Sequence, residues 1–499
     1  MNQASCLNPL EAGARHVAAV RATVGLTCLA LLAGCATPAR YAAEVAAART
    51  RAAEARARED AATEPSAVRI EGRLSLADAL KLALQYNKEL QASWQEREVA
   101  RGRVLESYGQ ALPRLTANAG YTRLDEVTRI DLGGQSVALG FADNYAADLT
   151  VRQPLFHGSA IPAALRTARL YALFSDETIR AAVQAVIFQT THDYYDWLLA
   201  RELAAVDEQA LKFAEALSAD VKRKRQSGTA SDYDVLRAEV EVSNTRAQCI
   251  RSQNARDLAL TRLLKTMGVS QHRGVAPADV LSYHPEHREA EAVRRLAQQH
   301  RPELLQAEYT LRMQREALSV ARSAYAPKLD AFFTEKWANP DPHSSMHDEW
   351  GEAWTLGVTV TLPIFDGGER RGRLLQENAR LRQAEIRLLA AEETVALDVE
   401  QALLNLRDAE ELVESQKANL VRAEEGLRLV QAGYRQGVQN ELAVLDAQTA
   451  LTRARALYYQ ALHGHMLARL NLQRATGTLM PGSSDPAAPP SEEGQKQQP

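Results

Sequence analysis

The clearest pattern along the chain is a heptad. Val399, Leu406, Val413, Leu420, Leu427 and Tyr434 recur every seven residues, and Ala402, Ala409, Ala423 and Val430 fill the companion position, where Gln416 is the exception. Apolar residues at this interval make a seam along one face of a helix. Small residues in one register let neighbouring helices approach and supercoil left-handed. No proline interrupts the run from Gly367 to Gln436, and as a helix rising ~1.5 Å per residue it spans roughly 105 Å. A matching run extends from about Gly158 to Gln226. Helices of this length are struts and not the core of a compact domain.

A second period, of two, appears in four short segments. Trp354, Leu356, Val358, Val360 and Leu362 alternate with Thr355, Gly357, Thr359 and Thr361. Period two places the first set on one face of a strand and the second on the other. Tyr145, Ala147, Leu149 and Val151 alternate with Asp148, Thr150 and Arg152, and Leu115, Ala117, Ala119 and Tyr121 with Thr116, Asn118 and Thr122. Leu329, Ala331, Phe333 and Trp337 share a face that Glu335 interrupts. One apolar and one polar face suit a membrane β-barrel, lipid outside and water inside, and equally a soluble hairpin with one buried face. Tyr121, Tyr145, Trp337 and Trp354 all fall on the loop side, where an interfacial aromatic girdle sits. Four strands cannot close a barrel, and an open edge does not survive in lipid. A barrel therefore requires several copies of the chain, twelve strands from three or sixteen from four.

The chain repeats itself. Ala111-Leu112-Pro113-Arg114-Leu115 parallels Tyr325-Ala326-Pro327-Lys328-Leu329; Gln153-Pro154-Leu155-Phe156 parallels Leu362-Pro363-Ile364-Phe365; Gln226-Ser227-Gly228 parallels Arg435-Gln436-Gly437; and Met267-Gly268 parallels Thr476-Gly477. The order is kept at nearly one offset, so the body is two copies of one unit. Each unit predicts a moderate helix ending at a proline, two strands around a polar loop, a second proline opening a very long helix, a glycine turn and a last helix. The resulting division is 72–272 for the first repeat, 273–288 for a linker and 289–478 for the second repeat. Gly228-Thr229-Ala230-Ser231 and Gly437-Val438-Gln439-Asn440 read as helix reversals, glycine ending one helix and Ser or Asn capping the next.

Composition agrees with long helices. Aromatics make up 6% and charged residues 24% of 499 residues, with 26 Gly and 18 Pro. The net charge of −4 gives no support for a nucleic-acid partner. Of four cysteines, Cys249 alone lies in the body, so no internal disulfide is expected there and a buried thiol is. Arg15 and Arg21 precede an apolar run from Val24 to Ala33 that ends in Leu32-Ala33-Gly34-Cys35. This is the pattern of a secretory signal over 1–34 with a lipobox, and it predicts a covalent lipid on Cys35. Ala36 follows it. Residues 35–71 read as a tether, part helical, and 479–499 as a disordered tail.

These features together resemble the TolC-type outer-membrane efflux family, here as a lipoprotein member. The resemblance is carried by Leu74-Ser75-Leu76, Ala79-Leu80, Asn87-Lys88-Glu89-Leu90, Leu112-Pro113, Ala326-Pro327, Gln153-Pro154-Leu155-Phe156 and Leu362-Pro363-Ile364-Phe365-Asp366-Gly367-Gly368, then Gly433-Tyr434-Arg435-Gln436-Gly437 and Val444-Leu445-Asp446-Ala447-Gln448. It covers 72–478. It implies a mainly α chain with a transmembrane β-barrel portion, in which a homotrimer forms a twelve-strand barrel in the outer membrane and a helical tunnel in the periplasm. It further implies a passive conduit whose tip docks a periplasmic adaptor coupled to an inner-membrane pump. The docking turns are then Gly228, Thr229, Ser231, Gly437, Val438 and Asn440. Candidates for a charged gate at the tip are Asp232, Asp234, Glu424, Glu425 and Arg428, for which solvated helix charges are the alternative. The loops 126–142 and 339–351 depart from each other in length, so outer-surface contacts do not carry over.

A non-conducting coiled-coil scaffold is the other reading of the same helices. The polar strand faces favour the channel, because a scaffold needs no water-filled lumen. No His-Glu-x-x-His, Gly-x-Ser-x-Gly or phosphate loop occurs, so no enzyme and no cofactor is expected beyond the lipid. His284-Pro285-Glu286-His287 and His463-Gly464-His465 read as surface histidines and not as a metal site. Asp131-Leu132-Gly133-Gly134 reads as a turn in an outer loop. The cargo stays open.

Overall fold

The computed structural model describes residues 38–61, 72–132, 135–138, 140–270, 274–286, 288–344 and 347–480. The expected signal, Cys35, Gly133-Gly134, His287 and the tail from 481 onward lie outside the described residues. Contacts divide the chain at Arg69 and Ile70. In the first unit the described part is one helix, α1 (Pro38–Ala61).

The second unit runs through two series of elements. Its first series runs β1 (Gly72–Leu74), α2 (Leu76–Tyr86), α3 (Lys88–Gly109), β2 (Arg114–Arg123), β3 (Arg129–Leu132), β4 (Gln135–Ala138), β5 (Asp143–Phe156), α4 (Ala160–Gln226) and α5 (Asp232–Met267). Its second runs β6 (Val275–Pro277), α6 (Ala290–His300), α7 (Pro302–Ser323), β7 (Lys328–Asn339), β8 (Gly351–Thr361), α8 (Glu369–Arg435) and α9 (Glu441–Thr476). Corresponding helices have equal lengths: 11 residues in α2 and α6, 22 in α3 and α7, 67 in α4 and α8, 36 in α5 and α9. A 67-residue helix is ~100 Å long.

Four sequence expectations need correction. The moderate helix of each unit is two helices. In the first, Asn87 breaks the run: its side chain accepts from the Leu90 amide and donates to Thr266 O at 2.7 Å. In the second, Arg301 and Pro302 make the break, and Arg301 Nη2 bonds Asp398 at 2.8 Å. Each break rests on the end of a long hairpin. A Cβ at Gly268 would lie 2.3 Å from Tyr86 O, and one at Gly477 2.6 Å from His300 O. Second, Pro154 does not open a helix. It lies inside β5, where a bulge between Pro154 and Phe156 accommodates a residue with no amide proton. Third, the stretch 273–288 is more than a linker, since β6 pairs in parallel with β1. The Tyr194 hydroxyl joins them, 2.7 Å from Asp279 Oδ2 and 2.9 Å from Leu74 O. Burial and then the Asp279 carboxylate push that phenol well above its usual range. Leu479, placed in the tail by sequence, is buried against Ile187 and Leu470.

The heptad seam is the core of the second hairpin. Val399 and Val413 are fully buried, and Leu406 and Leu427 nearly so. Val399, Ala402 and Leu406 pack with Ala468, Leu472 and Ala475 of α9 and with Val293 and Ala297 of α6. Cys249 is a free, buried thiol. Among the described residues no helix is long and apolar enough to cross a membrane.

Candidate functional site

The four long strands form one antiparallel sheet in the order β2-β5-β7-β8. The registers carry the two faces across all four. Thr116 pairs with Thr150, Thr150 with Thr334 and Thr334 with Thr355, giving one polar row in which the Thr150 and Thr334 hydroxyls lie 2.9 Å apart. In the next polar row Asn118 donates to Asp148 at 2.8 Å. Two residues from the threonine row, Gly357 faces Phe332, whose ring fills the space where a Cβ would stand. On the opposite face Leu115, Val151, Phe333 and Leu356 share one row. Glu335 lies on this apolar face, opposite Trp354, as the alternation anticipated. Trp354, Leu356, Val358 and Val360 are each 60% or more exposed. Cross-strand pairs of one sort on each face are what a sheet between two different solvents needs.

The aromatic residues gather at the loop end. The Tyr121 and Tyr145 rings lie 5.0 Å apart and tilted, Tyr145 lies 6.3 Å from Trp350, and Phe333 lies 6.5 Å from Trp354. Beyond them β3 and β4 pair as a small hairpin around the position read as a turn. Both sheet edges, β2 and β8, have no strand partner among the described residues.

The far end of the molecule's long hairpins is set by the two glycine turns. Gly228 has φ +79° and Gly437 φ +75°, the left-handed region that glycine enters without cost. Thr229 Oγ1 donates to Lys224 O at 3.1 Å. Ser231 and Asp234 make a reciprocal capping box on α5, and Asn440 accepts the Ala443 amide to cap α9. Val438 is 76% exposed at the tip.

The candidate gate charges are held locally. Arg225 grips Asp232 across the turn through two bonds of 2.6 and 3.1 Å, and its side-chain hydrogen bond holds the Asp232 carboxyl below its usual range. Asp234 is committed to Ser231, which lowers it likewise. Glu425 and Arg428 pair three residues apart on α8, and Arg455 reaches Glu424 from α9. Within the chain these charges bind inside their own hairpin.

A contact that joins the tips of the two hairpins was missed by sequence reasoning. Lys224, at the end of α4, donates to the Tyr434 hydroxyl of α8 at 2.6 Å, and its ammonium sits 3.8 Å from the ring centroid. Asp220 lies 3.3 Å from Lys224 and 3.4 Å from the same hydroxyl. Burial opposes the Lys224 charge, but Tyr434 and Asp220 outweigh it and raise the ammonium. Burial likewise opposes the Asp220 carboxylate, and Arg223 and Lys224 outweigh it and lower that group. Glu441, at the start of α9, is pushed up by burial and then by Asp234, with one carboxylate oxygen buried and unpartnered among the described residues. Tyr434 continues the heptad in sequence, and it is the position of Lys224 on the other hairpin that makes it an interhairpin partner.

The histidines differ from expectation. His284 is exposed, but His463 is mostly buried and lies 2.8 Å from Asp196, and His465 is fully buried. Neither of the latter is a surface residue, because α9 is enclosed at this level by α4, α8 and the segment before α6.

The outer membrane efflux protein family matches residues 79–269 and 293–478. The chain is 26% identical over 430 residues to outer membrane protein TolC of Escherichia coli, covering 82% of this chain and 85% of that one. It is 24% identical over 413 residues to the proteases secretion protein PrtF of Dickeya chrysanthemi, covering 81% and 88%. The CmeC outer membrane channel of Campylobacter jejuni has the same fold, with a TM-score of 0.71 over 81% of this chain and 85% of that one at 17% identity. A family match across both halves, on a sheet and hairpins of this construction, places the chain in the outer membrane efflux protein family.

Proposed function

We propose that this chain is one subunit of a homotrimeric outer-membrane channel, the passive exit duct of a tripartite export system. The observation that carries the reading is the four-stranded sheet, with a threonine-bearing face, an apolar exposed face and two unpaired edges, leading into helices ~100 Å long. In lipid both edges must be paired, so copies of the chain supply strands to one another. Three copies make a twelve-strand barrel with the threonine rows inside, above a tunnel of helical hairpins. The equal helix lengths support an internal duplication, which gives the tunnel wall its repeat. A lipid on Cys35 would add a second means of membrane attachment.

The turns at Gly228 and Gly437 would meet a periplasmic adaptor, and through it an inner-membrane pump that supplies the energy. The family relatives include efflux and protease-secretion components, so the cargo class follows from the pump and not from this chain. Cysteine pairs across the open edges test the assembly, with Thr116→Cys combined in turn with Thr355→Cys, Thr359→Cys and Thr361→Cys. Oxidation is expected to give a ladder that ends at three chains. A ladder without end, or none in any pairing, speaks for the non-conducting scaffold.

A further inference from the structure

One turn of α4 presents three metal-ligating side chains that the channel reading does not use. His192 Nδ1 lies 3.4 Å from Asp196 Oδ2 and 3.9 Å from Asp193 Oδ1. One ligand atom from each residue lies within 4.8 Å of both others. His192 Nδ1 is itself buried and has no hydrogen-bond partner among the described residues. The His192–Asp196 separation is close to that of two donors at ~2.0 Å around a tetrahedral centre, about 3.3 Å, and Asp193 stands a little farther out.

The two carboxylates are already oriented from outside the trio. Asp193 accepts from Gln189 Nε2 at 2.7 Å and from Thr266 Oγ1 of α5 at 2.5 Å. Asp196 accepts from His463 Nε2 of α9 at 2.8 Å through Oδ1, which leaves Oδ2 turned toward His192. Ligating carboxylates fixed by a second ring of donors are the usual construction of a protein metal site.

We propose that His192, Asp193 and Asp196 bind a divalent first-row transition ion, with His463 as a positioning residue and water completing the shell. One nitrogen and carboxylate oxygens favour zinc and its neighbours over magnesium or calcium. The ion would tie α4 to α5 and α9 through the residues that hold its ligands.

The test is calorimetric titration of ZnCl2 into the full chain, purified in detergent and stripped with EDTA. One saturable site per chain is expected. His192→Ala and Asp196→Asn should each weaken it at least 100-fold, and His463→Ala by about 10- to 100-fold. Zinc should raise the melting temperature of the wild-type chain and leave that of Asp196→Asn, which keeps the side-chain shape, unchanged. No saturable binding, or a site that survives both His192→Ala and Asp196→Asn, overturns the proposal.

Discussion

Lys224 and Tyr434 stand on different helical hairpins and meet at 2.6 Å beside the two glycine turns. This contact ties the tip of the first hairpin to that of the second, with Asp220 beside both. Tyr434→Phe removes the acceptor and leaves the ring, and Lys224→Met removes the charge and keeps most of the packing. Both are expected to loosen the tip. Amide exchange at residues 220–235 and 430–445 should rise, and a conducting assembly should open more often. Unchanged exchange in both variants would remove this contact from any gating role.

The left-handed glycines at the C-termini of the four hairpin helices divide into two classes. A Cβ at Gly228 or Gly437 meets nothing, and alanine there pays only the left-handed backbone, ~1 kcal/mol in a local turn. At Gly268 and Gly477 the same Cβ would strike the Tyr86 and His300 carbonyl groups. Gly268→Ala and Gly477→Ala should therefore lower the melting temperature clearly, while Gly437→Ala leaves it nearly unchanged. Thermal melts of the purified variants decide this.

His465 makes stability depend on pH. Burial, followed by the Arg469 charge, lowers its imidazole, against smaller opposing contributions from Glu410 and Glu286, and His284 adds to the lowering. Glu410 Oε1 lies 4.0 Å from Nε2, and neither ring nitrogen has a hydrogen-bond partner among the described residues. A folded-state value below the unfolded one means that the contribution is present above about pH 6.5 and is lost as pH falls through the folded value. The melting temperature should drop between pH 7.5 and pH 5, and His465→Leu should flatten that drop.

The sheet faces make opposite predictions for one charge. Val358 lies on the apolar face and Thr359 on the threonine face. A lysine toward lipid at mid-membrane costs about 2–4 kcal/mol, while one toward water costs little. Val358→Lys should abolish accumulation in the outer membrane, and Thr359→Lys should retain it and shift ion selectivity toward anions. Fractionation followed by bilayer recording reads both.

Much of this architecture is legible in the sequence. Val399, Leu406 and Val413 announced a buried seam by period alone, and Trp354 to Leu362 announced two strand faces. Gly228 and Gly437 marked the reversals because few other residues take that backbone. What escaped depends on contacts distant in sequence. The break at Asn87 is set by Thr266, 179 positions away, although Pro302 marked the second break openly. Pro154 is tolerated in a strand only because β7 allows a bulge there. His465 looks polar in sequence and is buried because α8 and the segment carrying Tyr283 close over this face of α9. Tyr434 fits a heptad and an interhairpin bond equally well, and only the position of Lys224 separates them.

Single-channel recording of the purified assembly in planar bilayers tests the central claim most directly. The account predicts stable conductance steps that grow when Tyr434→Phe or Lys224→Met loosens the tip. An assembly that inserts, yet never conducts even with both substitutions, would contradict the channel and leave a scaffold.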